Sequence, residues 1–229
     1  FLIVFKNVET GEIRKFQVSP IRDDRKELML FLKNEVDEMV GFNNLAFDYP
    51  VLDYFIRKLL KVRGRDAAKG AFLKAQKLIQ NNVEPWRNYI RRPIRKQIDL
   101  YKIHHFDNRA KMTSLKMLEF VMKMDNIQEL PHSPEYHLSD EAIQEVVDYC
   151  ENDVEDTYQL YLRTLNAIDL REKLKEIYKI DMTNHNDTKI GQDIFVSVIK
   201  RKMGLEQIGK TPRKSIALKD VIYPYIEFR

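Results

Sequence analysis

Three residues stand where a side-chain oxygen can meet a ligand. Asp48 follows an apolar run from Met39 to Phe42 and the polar pair Asn43-Asn44. It comes just before a helical pattern that opens near Pro50 and continues through Val51, Leu52, Phe55, Ile56, Leu59 and Leu60 to residue 62. An acid at a strand-to-helix junction lies at the edge of a sheet, where ligands of α/β folds bind. The same acid can instead serve as a helix N-cap. Farther along, Tyr149 and Asp153 sit four apart inside a second, longer helical pattern, so their side chains stack on one face. Read alone, that pair can also be an ordinary solvent-facing one.

The elements that must hold these residues are legible as patterns. Ser139 is placed to cap the long helix, Asp140 and Glu141 suit the positive end of its dipole, and Ile143, Val146, Val147, Cys150, Val154 and Tyr161 form an apolar stripe. Residues 1–5 and 13–18 read as two strands joined by the turn Glu9-Thr10-Gly11-Glu12. Helices are expected over 24–34 (Leu28, Leu30, Phe31 and Leu32 inward) and over 69–80, and a strand over 98–103. Thr113 or Ser114 is expected to cap a helix ending at Met122, with Leu115, Leu118 and Val121 facing in and Met112, Met117, Met122 and Met124 filling core. A separate amphipathic piece is expected over 170–178, and a last helix over 187–203, stopped by Gly204.

A chain of 229 residues can bury one substantial core, or one core with an appendage. With 7 Gly and 8 Pro it leaves little room for long disordered linkers. Its single cysteine, Cys150, falls on the apolar stripe and makes no internal disulfide, which suits a reducing compartment. No apolar run is long enough for a membrane span. The net charge of +4 hides an asymmetry: residues 55–97 hold 13 Lys or Arg against Asp66 and Glu84, a balance of +11 that leaves −7 elsewhere. Such a segment suits a polyanion. Trp86, Tyr89 and Ile90 interleave with Arg87, Arg91 and Arg92, as in surfaces that stack the bases and hold the phosphates of single-stranded nucleic acid. A solvated basic helical pair whose aromatics pack inward is the alternative. Lys200, Arg201, Lys202, Lys210, Arg213 and Lys214 form a second basic cluster. His104 and His105 point to opposite faces if they continue a strand, and His132 and His137 lack zinc-site spacing.

Asn44-Leu45-Ala46-Phe47-Asp48 and Tyr149-Cys150-Glu151-Asn152-Asp153 together resemble the second and third motifs of the DEDD 3′–5′ exonucleases, which have the DnaQ-like, RNase H-related fold. The third motif is in its tyrosine form, since the position where the histidine form has His is Asp148. Ser114-Leu115-Lys116-Met117-Leu118 is similar to the family's segment between these motifs. More closely, the chain resembles the proofreading-type exonuclease domains encoded with phage DNA polymerases. The family's first motif, Asp-x-Glu on the central strand, has its nearest match in Asn7-Val8-Glu9, with Asn in place of Asp. Two readings follow. Residues 1–18 are the hairpin after the central strand, with Asp-x-Glu ahead of Phe1, or residues 1–6 are the central strand itself. The strand count favours the first.

The resemblance implies an α/β fold, an RNase H-like mixed central β-sheet flanked by helices. It implies an exonuclease-like domain over 1–170 with a basic helical insertion at about 57–97, and a mostly helical extension over 171–229. It implies metal-dependent 3′–5′ hydrolysis of DNA phosphodiesters in proofreading or replication, with Mg²⁺ or Mn²⁺ in a two-metal site. Asp48 and Asp153 would be metal ligands, Tyr149 would hold the attacking water, and Asn44 and Phe47 would touch the 3′-terminal nucleotide. Phe47 can instead be core. Expected partners are single-stranded or frayed DNA and a polymerase region in the same or another chain, in the cytoplasm (the host's if phage-encoded). The alternative is a catalytically inactive, exonuclease-like domain that binds nucleic acid or a replication protein.

Overall fold

Residues 2–6 and 13–17 each place apolar side chains on one face, and they pair as an antiparallel hairpin, β1 (Leu2–Lys6) and β2 (Ile13–Gln17), with Ile3 opposite Phe16. These come from a computed structural model that describes residues 1–19, 22–80, 84–133 and 139–208; His137, Lys210, Arg213 and Lys214 lie outside the described residues. The hairpin turn is built by Asn7, whose Oδ1 accepts the backbone N–H groups of Glu9 and Thr10 at 2.8 and 3.0 Å. Gly11 closes it at φ +74°, a conformation open to glycine. Asn7-Val8-Glu9 is therefore an exposed turn and not part of a strand.

Helix α1 (Arg25–Asn34) buries Leu28 and Leu32 against the hairpin, and β3 (Glu38–Gly41) follows. After the junction come α2 (Asp48–Tyr54), a π-helical turn over Phe55–Leu59, and α3 (Gly64–Gln80). The helix after Asp48 was expected to run unbroken to residue 62, and α3 to begin at 69. The π turn instead widens the first helix, and Gly64 opens the second rather than only ending its predecessor. Phe16, Leu28, Leu32, Leu52, Phe55 and Leu59 form one buried cluster under these elements.

Strand β4 (Lys96–Asp99) pairs in parallel with β3, Gly41 opposite Asp99. The expected strand over 98–103 stops at Asp99, because its carboxylate accepts the N–H of Tyr101 at 3.0 Å and starts a helical turn, α4 (Leu100–Ile103). Ser114 caps α5 (Leu115–Met122) and Ser139 caps α6 (Asp140–Tyr178), each through its hydroxyl. Helix α6 is one element of 39 residues that absorbs the piece expected over 170–178. It buries Val147 and Leu160, and Leu160 joins Ile98, Leu100 and Ile103 in a second cluster. Lys6 pairs with Glu155, and Lys15 with Glu151 at 2.5 Å, fastening the hairpin to α6. Leu30, Met112, Met117 and Val121 were misplaced: they are exposed, at 59%, 70%, 56% and 66%, on the outer sides of their segments.

The chain divides into compact units Phe1–Ile190 and Gly191–Arg229. Helix α7 (Asp187–Met203) ends as expected, with Gly204 at φ +64°. The architecture is mixed α/β, with small sheets and several helices. Among the described residues the strands form two separate pairs, β1–β2 and β3–β4, in place of one continuous sheet. No described helix is long and apolar enough to cross a membrane.

Candidate active site

The junction between β3 and α2 is shaped by three short residues. A Cβ on Gly41 would stand 2.7 Å from the Cβ of Asn44, so the loop folds back over this position only because it is glycine. Asn43 adopts φ +59°, which asparagine tolerates better than most residues. Asp99, at the end of β4, accepts the backbone N–H groups of Asn43 and Leu45 at 2.9 and 3.1 Å. Asn44 turns inward: its amide donates to Gln97 Oε1 at 3.0 Å, and its own carbonyl oxygen is buried without a partner. Phe47 occupies the N-cap position, and Asp48 is the first residue of the helix. The reading of Asp48 as a cap is thus set aside, which leaves its carboxylate available for other work.

A cavity of about 1020 Å³ lies between β1 and β3. Every residue of both strands lines it, and among the described residues β1 pairs only with β2 and β3 only with β4. One face is covered by α6 through Cys150, Asp153, Val154 and Thr157, and the other by α2 and α3 through Val51, Leu52, Ala71 and Phe72. Asn44, Phe47 and Asp48 also line it, so both predicted acids and both predicted substrate contacts border one space.

The electrostatics couple these groups. Asp48 faces the cavity but is crowded by protein, and loss of bulk water pushes its carboxyl up to about 6, with the charges of Asp99 and Asp153 acting in the same direction. Burial also raises Asp153, against a hydrogen bond from Tyr149 and the nearby Lys116 charge. Tyr149 is raised well above its usual range by burial and by the Asp153 charge, so its phenol keeps its proton at neutral pH. Cys150 is pushed up to about 11, chiefly by burial, and remains a neutral thiol. The donor set is then two carboxylates in need of positive charge and no thiolate. That set fits hard, oxygen-seeking divalent ions and does not fit soft ones.

Three further acids were not anticipated. Asp99 is 1% exposed and holds the junction as described. Glu119 and Asp156 bring carboxylate oxygens to within 4.8 Å of one another and of Asp153. The Asp153-x-x-Asp156 spacing, which places both acids near one helical face, was a usable signal; Glu119 offered none. The histidines take other roles: His104 Nε2 bonds Thr164 Oγ1 at 2.8 Å, and His132 pairs with Glu145 at 2.7 Å.

The basic segment divides by role. Arg57 pairs with Asp53 at 2.8 Å, Arg95 donates to the carbonyls of Leu32 and Lys33, and Lys96 bridges Glu38 and Glu172. These cations hold the fold. Lys58, Lys61, Arg63, Arg65, Arg91 and Arg92 are exposed, and Trp86 is 60% exposed beside them in sequence.

A family model described as a predicted 3′–5′ exonuclease related to the exonuclease domain of PolB matches residues 6–188. No curated protein and no solved structure matches the chain.

Proposed function

The chain belongs to the family of predicted 3′–5′ exonucleases related to the exonuclease domain of PolB, and we propose that it removes nucleotides from the 3′ end of DNA around Asp48, Tyr149 and Asp153. The observation that carries this reading is the meeting of Asp48 and Asp153 on one cavity, from elements far apart in sequence, each carboxyl raised by loss of water and Asp48 raised further by the Asp153 charge. A phosphodiester is anionic, so a nucleophile approaches it only where negative charge is offset. Asp48 and Asp153 would hold divalent ions, Mg²⁺ or Mn²⁺, which would supply that offset at the attacking and leaving oxygens.

The chain's own residues supply orientation. Tyr149 keeps its proton and bonds Asp153, so its oxygen can accept from a water and aim it; it is a poor general base. Phe47 borders the cavity next to Asp48 and suits stacking on a terminal base. Asn44, with its amide committed to Gln97, acts mainly by fixing the loop. The exposed cations of 58–65 and 91–92, with Trp86, suit the single strand leading to the site.

The cavity also bears on the first motif. Asn7-Val8-Glu9 is spent on a turn, which speaks against its being that motif. Strands β1 and β3 face each other across a slot covered by helices on both faces. Proofreading alongside a polymerase is the setting this activity suits.

The test is digestion of a 5′-labelled single-stranded DNA with Mg²⁺ or Mn²⁺ by the intact protein. A ladder shortening from the 3′ end, abolished by EDTA and in Asp153→Ala, is expected. Salt-sensitive binding with no ladder would replace this reading with the inactive nucleic-acid-binding one.

A further inference from the structure

We propose that Glu119, Asp153 and Asp156 form a cation site of their own, taking one hard divalent ion between α5 and α6 and independent of Asp48. One oxygen from each carboxylate lies within 4.8 Å of the others, the spread expected of ligands about 2.0–2.6 Å from a common ion. The second observation is Glu119 itself. It is 0% exposed, and neither of its oxygens has a hydrogen-bond partner among the described residues. A buried carboxylate in that condition is strongly unfavourable unless positive charge comes to it.

The protein supplies only part of that charge. Lys116, on the same helix, favours the ionised form of all three acids, yet its ammonium is buried with no hydrogen-bond partner and lies 5.3 Å from the ring centre of Tyr149. Three carboxylates and one ammonium leave two negative charges, which one divalent ion cancels. The ligands are also oriented. The Asn152 amide donates to Asp156 at 2.8 Å, and Asn126 donates to Asn152 at 2.9 Å, which fixes the Asp156 carboxylate from behind. The donors are all oxygen, as Mg²⁺, Mn²⁺ or Ca²⁺ require. An ion there would pin α5 to α6 and hold Asp153 between them.

The test is Mn²⁺ binding by the full chain without DNA. Free Mn²⁺ is followed by electron paramagnetic resonance, and Tm is recorded with and without the ion. The wild type is expected to bind an ion whose Kd rises at least tenfold in Glu119→Gln and in Asp156→Asn, but changes less than twofold in Asp48→Asn. Mn²⁺ should raise the Tm of the wild type and of Asp48→Asn, and raise that of Glu119→Gln by clearly less. Without metal, Glu119→Gln should be at least as stable as the wild type, since it removes an uncompensated buried charge. Asp156→Asn keeps the test open if Glu119→Gln fails to fold. The proposal is overturned if no ion binds the wild type, if the folded Glu119 or Asp156 variant binds like the wild type, or if Asp48→Asn loses the same ion. None of these readings depends on nuclease activity, so they stand apart from the outcome of the digestion.

Discussion

Asp99 ends strand β4 and Asp48 opens the helix that follows its parallel neighbour β3, and loss of bulk water pushes both carboxyls up to about 6. Their partners differ. Asp99 accepts backbone N–H groups from Asn43, Leu45 and Tyr101, between 2.9 and 3.1 Å, and so fixes the junction and starts α4. Asp48 faces the cavity with only its own backbone N–H to offset its charge and with Asp153 opposing it. The same displacement therefore has two meanings. At Asp99 it accompanies a carboxylate saturated by donors, which is architecture. At Asp48 it marks a carboxylate that an incoming positive charge would relieve.

The comparison can be broken in order of effect. Asp153→Ala removes the acid that meets Asp48, and loss of several kcal/mol of transition-state stabilisation predicts a fall in exonuclease rate of about 10³-fold or more, read from single-turnover digestion. Asp99→Asn puts an amide donor among backbone donors at the junction, and a destabilisation of about 2–3 kcal/mol is expected in urea unfolding. Loss of activity there should track loss of folded protein. Arg91→Ala combined with Arg92→Ala should weaken single-strand binding and lower the salt slope of log K by about 1.4, or about 0.7 for each phosphate left without its cation. An unchanged slope would remove these residues from the strand's path.

The smallest effect is in pH. A carboxyl raised in the folded state binds its proton more tightly there than in the unfolded chain. Its contribution therefore opposes stability above about pH 6, and that cost fades as pH falls toward the unfolded value near 3.8. In EDTA, Asp48→Asn should be more stable than the wild type at pH 8, with the gap closing as pH falls from 6 to 4. An Asp48→Asn protein less stable than the wild type at pH 8, with the deficit shrinking as pH falls, would give Asp48 a paired, stabilising role.

Much of the fold was readable because local signals agreed. The hairpin followed from alternation around a Gly-containing turn, and Ser114 and Ser139 announced their helices by type and position. The second and third motifs were also readable, since each is a short spacing within one segment. The unread features depend on groups that meet only after folding. The turn at Leu100 is imposed by the Asp99 side chain against an apolar run that favours a strand. The outward placement of Met117 and Val121 follows from how α5 lies on α6, and composition alone does not set it. Glu119 reads as an ordinary charged helix residue until α5 docks and buries it completely. Nor does local pattern show that β1 and β3 face each other across a slot, because that is a relation between two strand pairs.

The most direct measurement sets Asp48→Asn beside Asp99→Asn, with 3′–5′ digestion and Tm recorded on the same samples. The account predicts that Asp48→Asn loses digestion while its metal-free Tm stays level or rises, and that Asp99→Asn loses Tm first. An Asp48→Asn protein that digests DNA at the wild-type rate, or that loses stability as Asp99→Asn does, would contradict it.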